Sequence, residues 1–215
     1  LHTHLESWVT LTTRDSHTDG APTDSDTKVS NADFSGVFHY SYDFGADGSG
    51  NISDITYDLG LKGAEGADSG LNSHGVDILL YEIDGAIVGK AGESNVFSLS
   101  VDGDGKVTLT QFQQVDHDPS GSSDDIISLA NNLVELTGTV TITDFDGDQT
   151  TDSATIDLGG NIRFADDNPS IDVTVRSDSS IVLQTSDANT DGSPTDSDVK
   201  TSDADFSGVF SASSS

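Results

Sequence analysis

Two stretches of this chain are close to the same sequence. Residues 15–38 read DSHTDGAPTDSDTKVSNADFSGVF, and residues 187–210 read DANTDGSPTDSDVKTSDADFSGVF. The offset is 172 residues throughout, from Asp15 to Asp187, Asp19 to Asp191 and Phe34 to Phe206. It extends backwards, because Val9, Leu11 and Thr13 align with Ile181, Leu183 and Thr185. Residues 44–172 have no second copy in the sequence. Residues 1–172 therefore read as one full repeat with a core over 32–171, and residues 173–215 as the opening segment of the next. Ser211–Ser215 reads as a cut through a longer polypeptide. Units of this size joined by short connections describe a rod whose modules touch only their neighbours.

Within the repeat the strand signals are strong. Phe38, Tyr40, Tyr42 and Phe44 alternate, as do Ile55, Tyr57, Leu59 and Leu61. Phe97, Leu99 and Val101 alternate before Asp102-Gly103-Asp104-Gly105, and Val107, Leu109 and Gln111 follow it. Leu136, Gly138, Val140 and Ile142 alternate, then Ala154, Ile156 and Leu158. Period two punctuated by turn residues is the pattern of half-buried antiparallel strands. Asp84-Gly85 predicts a tight hairpin. Residues 62–75, rich in Gly, Ser and Asp, read as a surface loop, and a single helical turn is expected near Leu129–Asn132. Trp8 and the alternating aromatics read as core. The expected fold is an all-β, antiparallel β-sandwich, Ig-like or larger.

Charge narrows the partners. Against 38 Asp and Glu stand 8 Lys and Arg, a formal net charge of -30. Nucleic acid and anionic membranes would be repelled. The acids cluster between apolar runs instead of replacing them, so the chain reads as folded. No apolar run approaches the length that spans a bilayer, and no basic stretch precedes an apolar one as in a signal peptide. With no Cys, disulfides cannot brace the fold, and bound metal is the usual substitute.

Ca²⁺ is the expected ion, since it takes six to eight hard oxygens and Asp-rich turns supply them. Asp187, Asn189, Asp191 and Asp198 stand at positions 1, 3, 5 and 12 of a calcium-loop spacing, with Gly192 at position 6. The first copy keeps Asp15, Asp19 and Asp26 but has His17, a poor calcium ligand, at position 3. An Asx-rich turn that binds nothing is the alternative at both. Asp144, Asp146 and Asp148 lie on an expected hairpin tip, where three carboxylates repel unless a cation sits among them. Asp166 and Asp167 lie near the end of the repeat, where a shared ion would fix the angle between modules. Asp102 and Asp104 read as a plain hairpin turn, and Asp116, Asp118 and Asp124 as a weaker loop.

Catalysis finds no motif. A nucleophile elbow, a phosphate loop, a zinc-protease helix and a cysteine nucleophile are all absent from the sequence. His2 and His4 form an H-x-H pair without an evident third ligand. The chain is expected not to be an enzyme.

In the order ADFSGVF, GADGSG, ISDITYDLGL, VFSLSVDGDGKVTLTQ, IISLANNLVELTGTVTITDFDGDQTTDSATIDLGG and IRFADDNPSI, residues 32–171 resemble the large repeat domain of type I-secreted giant adhesins of Gram-negative bacteria, the repeats-in-toxin adhesins. The resemblance implies an extracellular extender anchored at the outer membrane, braced by Ca²⁺ and monomeric. Its partners would be neighbouring repeats of the same chain, with any host or surface ligand held by other domains. It carries the family's acidic hairpin onto Asp144, Asp146 and Asp148, and its repeat end onto Asp166, Asp167 and Pro169. A second reading is a ligand-binding adhesion module for carbohydrate, peptide or ice, suggested by the 62–75 loop and the Thr-rich strand Val107–Thr110.

Overall fold

The computed structural model describes residues 1–4, 9–14, 28–117, 125–166, 171–175, 181–185 and 201–214. These fall into two units, Leu1–Asp167 and Asn168–Ser215. Trp8 lies outside the described residues.

The fold is all-β and chiefly antiparallel, as expected. The strands are β1 (His2–Thr3), β2 (Leu11–Arg14), β3 (Lys28–Asp33), β4 (Phe38–His39), β5 (Asn51–Ile52) and β6 (Thr56–Leu61). They continue as β7 (Ala67–Ser73), β8 (Val76–Ile83), β9 (Ala86–Ala91), β10 (Ser94–Val101) and β11 (Lys106–Gln111). After these come β12 (Ile126–Ser128), β13 (Val134–Thr143), β14 (Gln149–Asp157) and β15 (Ile162–Ala165). The second unit holds β16 (Ile171–Val175) and β17 (Phe210–Ser214).

One sheet has six strands in the order β3-β11-β10-β9-β8-β7. Its middle is a run of hairpins, which the turn residues make possible. Asp84 and Gly85 both sit at positive φ, 52° and 77°, the geometry of the tight turn between β8 and β9. A second sheet is built on β13, which pairs β14 along its length on one side and β5 and β6 on the other. Along β13, Val134, Leu136 and Val140 face inward and are buried. Gly138 shares that face because a Cβ there would meet the Phe38 ring at 2.7 Å. A third, three-stranded sheet sets β15 between β12 and β2. The β2–β15 pairing is parallel, Leu11 opposite Ile162.

Leu11, Phe34, Ile78, Leu80, Phe97, Leu99, Leu109, Leu136 and Phe164 are fully buried in one cluster drawn from these three sheets and the turn after β3. Phe97 of β10 meets Phe164 of β15 with ring centroids 5.2 Å apart. Each such side chain contributes about 1.5–3 kcal/mol through burial.

Three expectations need correction. Residues 67–73 are strand β7, paired with β8, and not loop. Its inward side chains are Ser69, Leu71 and Ser73, all buried, so a loop-like composition lines a core face. Leu129–Asn132 is no helical turn: Asn131 and Asn132 form a turn with Asn132 at φ 64°. The short 3-10 segments lie instead at Ser35–Val37, Gly45–Asp47, Gly159–Asn161 and Ser207–Val209. Finally, the strand beginning at Phe38 ends at His39, because β1 pairs no further. Phe38 is buried, but Tyr40 and Tyr42 are exposed.

In the second unit β16 pairs β17, Val175 opposite Phe210 and Thr174 opposite Ser211. A 3-10 turn precedes β17, and Asp205 accepts a 2.8 Å hydrogen bond from the Ser207 backbone N–H. That bond and the Ser207 hydroxyl hold the Asp205 carboxyl below the usual carboxylate range.

Candidate metal centre

The β13–β14 hairpin closes through a five-residue tip. After the Thr143–Gln149 pair, the Asp144 N–H donates to the Asp148 carbonyl at 3.0 Å. Asp144 Oδ1 accepts from the N–H groups of Gly147 (3.1 Å) and Asp148 (2.9 Å). Gly147 takes φ 99°, a conformation that side chains with a Cβ rarely adopt. The tip thus closes on the Asp144 side chain, which is why Asp begins it and Gly stands fourth.

This closure gathers the charges. Asp144, Asp146 and Asp148 each offer an oxygen, and the three lie within 4.8 Å of one another. Two oxygens bound to one Ca²⁺ at about 2.3–2.6 Å can be at most about twice that apart, so the spacing fits the ion. Hard carboxylates are also the donor type that calcium takes.

The mutual proximity appears in the acidities. A hydrogen bond from the Asp146 carboxyl lowers the pKa of Asp144, assisted by the N–H groups of Asp148, Gly147 and Asp146 against the opposing effect of burial. Asp146 is raised, first by that shared hydrogen bond and then by the Asp144 charge and burial. Crowded carboxylates disfavour one another's charge, and a divalent cation among them relieves that repulsion.

Beside the tip opens a cavity of about 240 Å³, lined by Asp43, Phe44 and Gly45 on one side and Ile142, Asp144, Asp148 and Thr150 on the other. A neighbouring groove of similar volume is lined by Tyr40, Tyr42, Val140 and Ile142 with Thr150 and Asp152. The rings of Tyr40, Tyr42 and Phe44 succeed one another at 6.3 and 5.2 Å.

Among the described residues, the candidate ligand Asp166 is not part of this cluster. At the end of β15, the Asp166 N–H donates to the Asp125 carbonyl at 2.9 Å, and its own carbonyl accepts from Arg14 Nη1 at 2.9 Å. Asp167, Asp187, Asn189, Asp191, Asp198, Asp15, Asp19 and Asp26 lie outside the described residues. Asp116 has a structural role: its carboxylate accepts from the N–H groups of His74 (2.8 Å) and Gly75 (2.7 Å) and caps the β7–β8 turn. Of the second reading's two supports, residues 67–73 of the 62–75 segment are strand β7, while Val107–Thr110 lies on strand β11 with Thr108 and Thr110 half-buried. What composition concealed is the tyrosine groove, because the aromatics had read as core.

The acidic hairpin and the sheets that carry it fall within residues 10–159, which match one protein family along most of the chain. The chain belongs to the DUF5801 family, a domain of unknown function. The matched residues run from the start of β2 to the 3-10 turn before β15, so the DUF5801 match takes in the six-stranded sheet and the tip at Asp144–Asp148. No curated protein and no solved structure matches the chain. Among the described residues, no helix is long and apolar enough to cross a membrane.

Proposed function

We propose that this DUF5801 chain is a non-catalytic, extracellular structural module of a tandem-repeat bacterial surface adhesin, stiffened by Ca²⁺ and holding a ligand-binding region away from the cell. The observation that carries the reading is the tip at Asp144–Asp148, where the backbone draws three carboxylates within calcium-binding distance. The 172-residue internal repeat and the resemblance of residues 32–171 to adhesin repeats support the tandem architecture and the surface location.

Asp144, Asp146 and Asp148 would hold the ion. When bound, it would neutralise the tip and tie β13 to β14 at their free end. Binding only to the folded state stabilises that state by mass action. At calcium about a hundredfold above the dissociation constant, the melting temperature should rise by roughly 5–10 °C. Scanning calorimetry with calcium and then with excess chelator tests this, and identical melts would remove the ion from the proposal.

The ligand-binding reading is supported by the exposed tyrosine groove and by the half-buried Thr108 and Thr110 of β11. Glycan-array binding that disappears in Tyr42→Ala would favour it over a spacer.

A further inference from the structure

The two copies of the repeated segment have the same local geometry. Phe34 and Phe206 precede their 3-10 turns at φ/ψ of -101°/0° and -97°/1°, and Phe38 and Phe210 follow at -100°/122° and -99°/132°. Asp33 and Asp205 each accept a 2.8 Å bond from the N–H two residues on. The Thr12 N–H donates to Ser30 Oγ at 3.0 Å, and the Gln184 N–H to Ser202 Oγ at 3.2 Å. Thr3 pairs Phe38 as Val175 pairs Phe210, and His2 pairs His39 as Thr174 pairs Ser211. Every one of these correspondences keeps the offset of 172 residues.

The copies differ in what surrounds them. Leu11, Phe34 and Phe38 are exposed by 0, 0 and 4 %, whereas Leu183, Phe206 and Phe210 are exposed by 57, 46 and 59 %. In the first copy the cover comes from residues 57–165. The Phe38 ring lies 5.5 Å from that of Tyr57 and against Gly138, the Phe34 N–H donates to the Gly105 carbonyl at 3.0 Å, and Leu11 pairs Ile162. Strand formation divides in the same way. β2 and β3 are strands where β15 and β11 pair with them, but residues 181–185 and 201–205 form no strand. The elements of the second copy that do form, β16 with β17 and the 3-10 turn, are those that need no such partner.

We propose that Leu183, Phe206 and Phe210 form the docking face for a second copy of residues 44–166 of this chain, which would add its β11 and β15 equivalents to the 201–205 and 183–186 segments. The proposal rests on the tandem-repeat part of the reading above and not on calcium. The face is matched to its occupant residue by residue, because the same side chains already hold that body in the first unit.

The test extends the full chain. Ser215 stands 172 residues after Asp43, so a copy of residues 44–166 placed after Ser215 continues the register. Hydrogen exchange followed by mass spectrometry should then show the appended β11 and β15 segments slowed by roughly a hundredfold or more, together with residues 183–186 and 201–210. An appended body that exchanges like an unfolded chain would overturn the proposal. So would one that is equally protected in Phe206→Asp, since it would be folding without the face. Closure of the face in the unextended monomer, read as protection around Phe206, would assign it to a contact within the chain and overturn the proposal as well. The melt of the first unit and its calcium response serve as internal readouts, so failure of docking is distinguishable from failure of the module reading.

Discussion

The hairpin tips Asp102–Lys106 and Asp144–Asp148 share a frame and differ in their surroundings. Both are five residues long, D-G-D-G-K and D-F-D-G-D. In each, the first N–H donates to the fifth carbonyl, at 3.1 Å for Asp102 and 3.0 Å for Asp144. In each, Oδ1 of the first Asp accepts the fifth N–H at 2.9 Å, and the fourth residue is a Gly at positive φ. The first tip, however, is fastened to the core. Gly105 abuts the Tyr57 ring, its carbonyl accepts from Phe34, and Lys106 faces Asp33 across the β11–β3 pair. The second projects, with Phe145 exposed by 80 % and a third carboxylate where the first has a lysine. The same turn thus serves as a packed corner with its own cation and as an open tip that lacks one. What separates a structural acidic turn from a candidate metal centre here is the fifth residue and the packing, not the D-x-D-G frame.

The largest expected effect bears on the packing. A Cβ at Gly105 would approach the Tyr57 ring at 2.8 Å in a left-handed conformation, whereas at Gly147 it would meet nothing within 4 Å. Gly105→Ala should cost about 2–4 kcal/mol, from strain plus overpacking, and Gly147→Ala about 1–2 kcal/mol, from strain alone. Urea melts of the two variants check this, and equal costs would break the distinction between packed and free tips.

Next in size is the calcium response. Asp148→Lys gives the second tip the charge pattern of the first, and its melt should lose the calcium-dependent rise of roughly 5–10 °C. Asp102→Asn should keep that rise. A response lost in Asp102→Asn and kept in Asp148→Lys would place the ion at the wrong hairpin.

The reverse exchange is smaller. Lys106→Asp sets a like charge opposite Asp33 and should lower the metal-free melting temperature by about 1–4 °C. Part of that loss should return with calcium, since the variant tip now offers three carboxylates. Calorimetric titration should count one additional, weaker site.

The smallest effect is a titration order. Without metal, carboxyl NMR should find that Asp146 takes up its proton before Asp144 on acidification, following their raised and lowered pKa values. A raised carboxyl favours the fold below its unfolded value and loses that contribution as pH rises through the folded one. A lowered carboxyl contributes above its unfolded value and loses it as pH falls through the folded one. The two contributions of this pair are opposite in sign. Calcium binding should weaken as pH falls through the Asp146 titration.

Much of this was legible in the sequence, for local reasons. Alternation and Asp-Gly turns place β6, β8 to β11, β13 and β14, because hairpin partners lie close along the chain. The spacing of Asp144, Asp146 and Asp148 marks the tip for the same reason. β7 was hidden because Ser69 and Ser73 take core positions that usually go to apolar residues. Tyr40 and Tyr42 misled because alternation reports an extended backbone and says nothing about whether a partner covers it. Phe34 and Phe206 make the point within one chain: near-identical sequence, the same turn, and opposite burial.

The parallel pairing of Leu11 with Ile162 also sets the order in which the molecule can assemble. Nearly the whole first unit is threaded between those two residues, and the entropy of closing so long a loop must be met before the contact returns anything. The hairpins, whose partners lie close along the chain, carry a small loop-closure cost, and the seam between the two ends carries the largest.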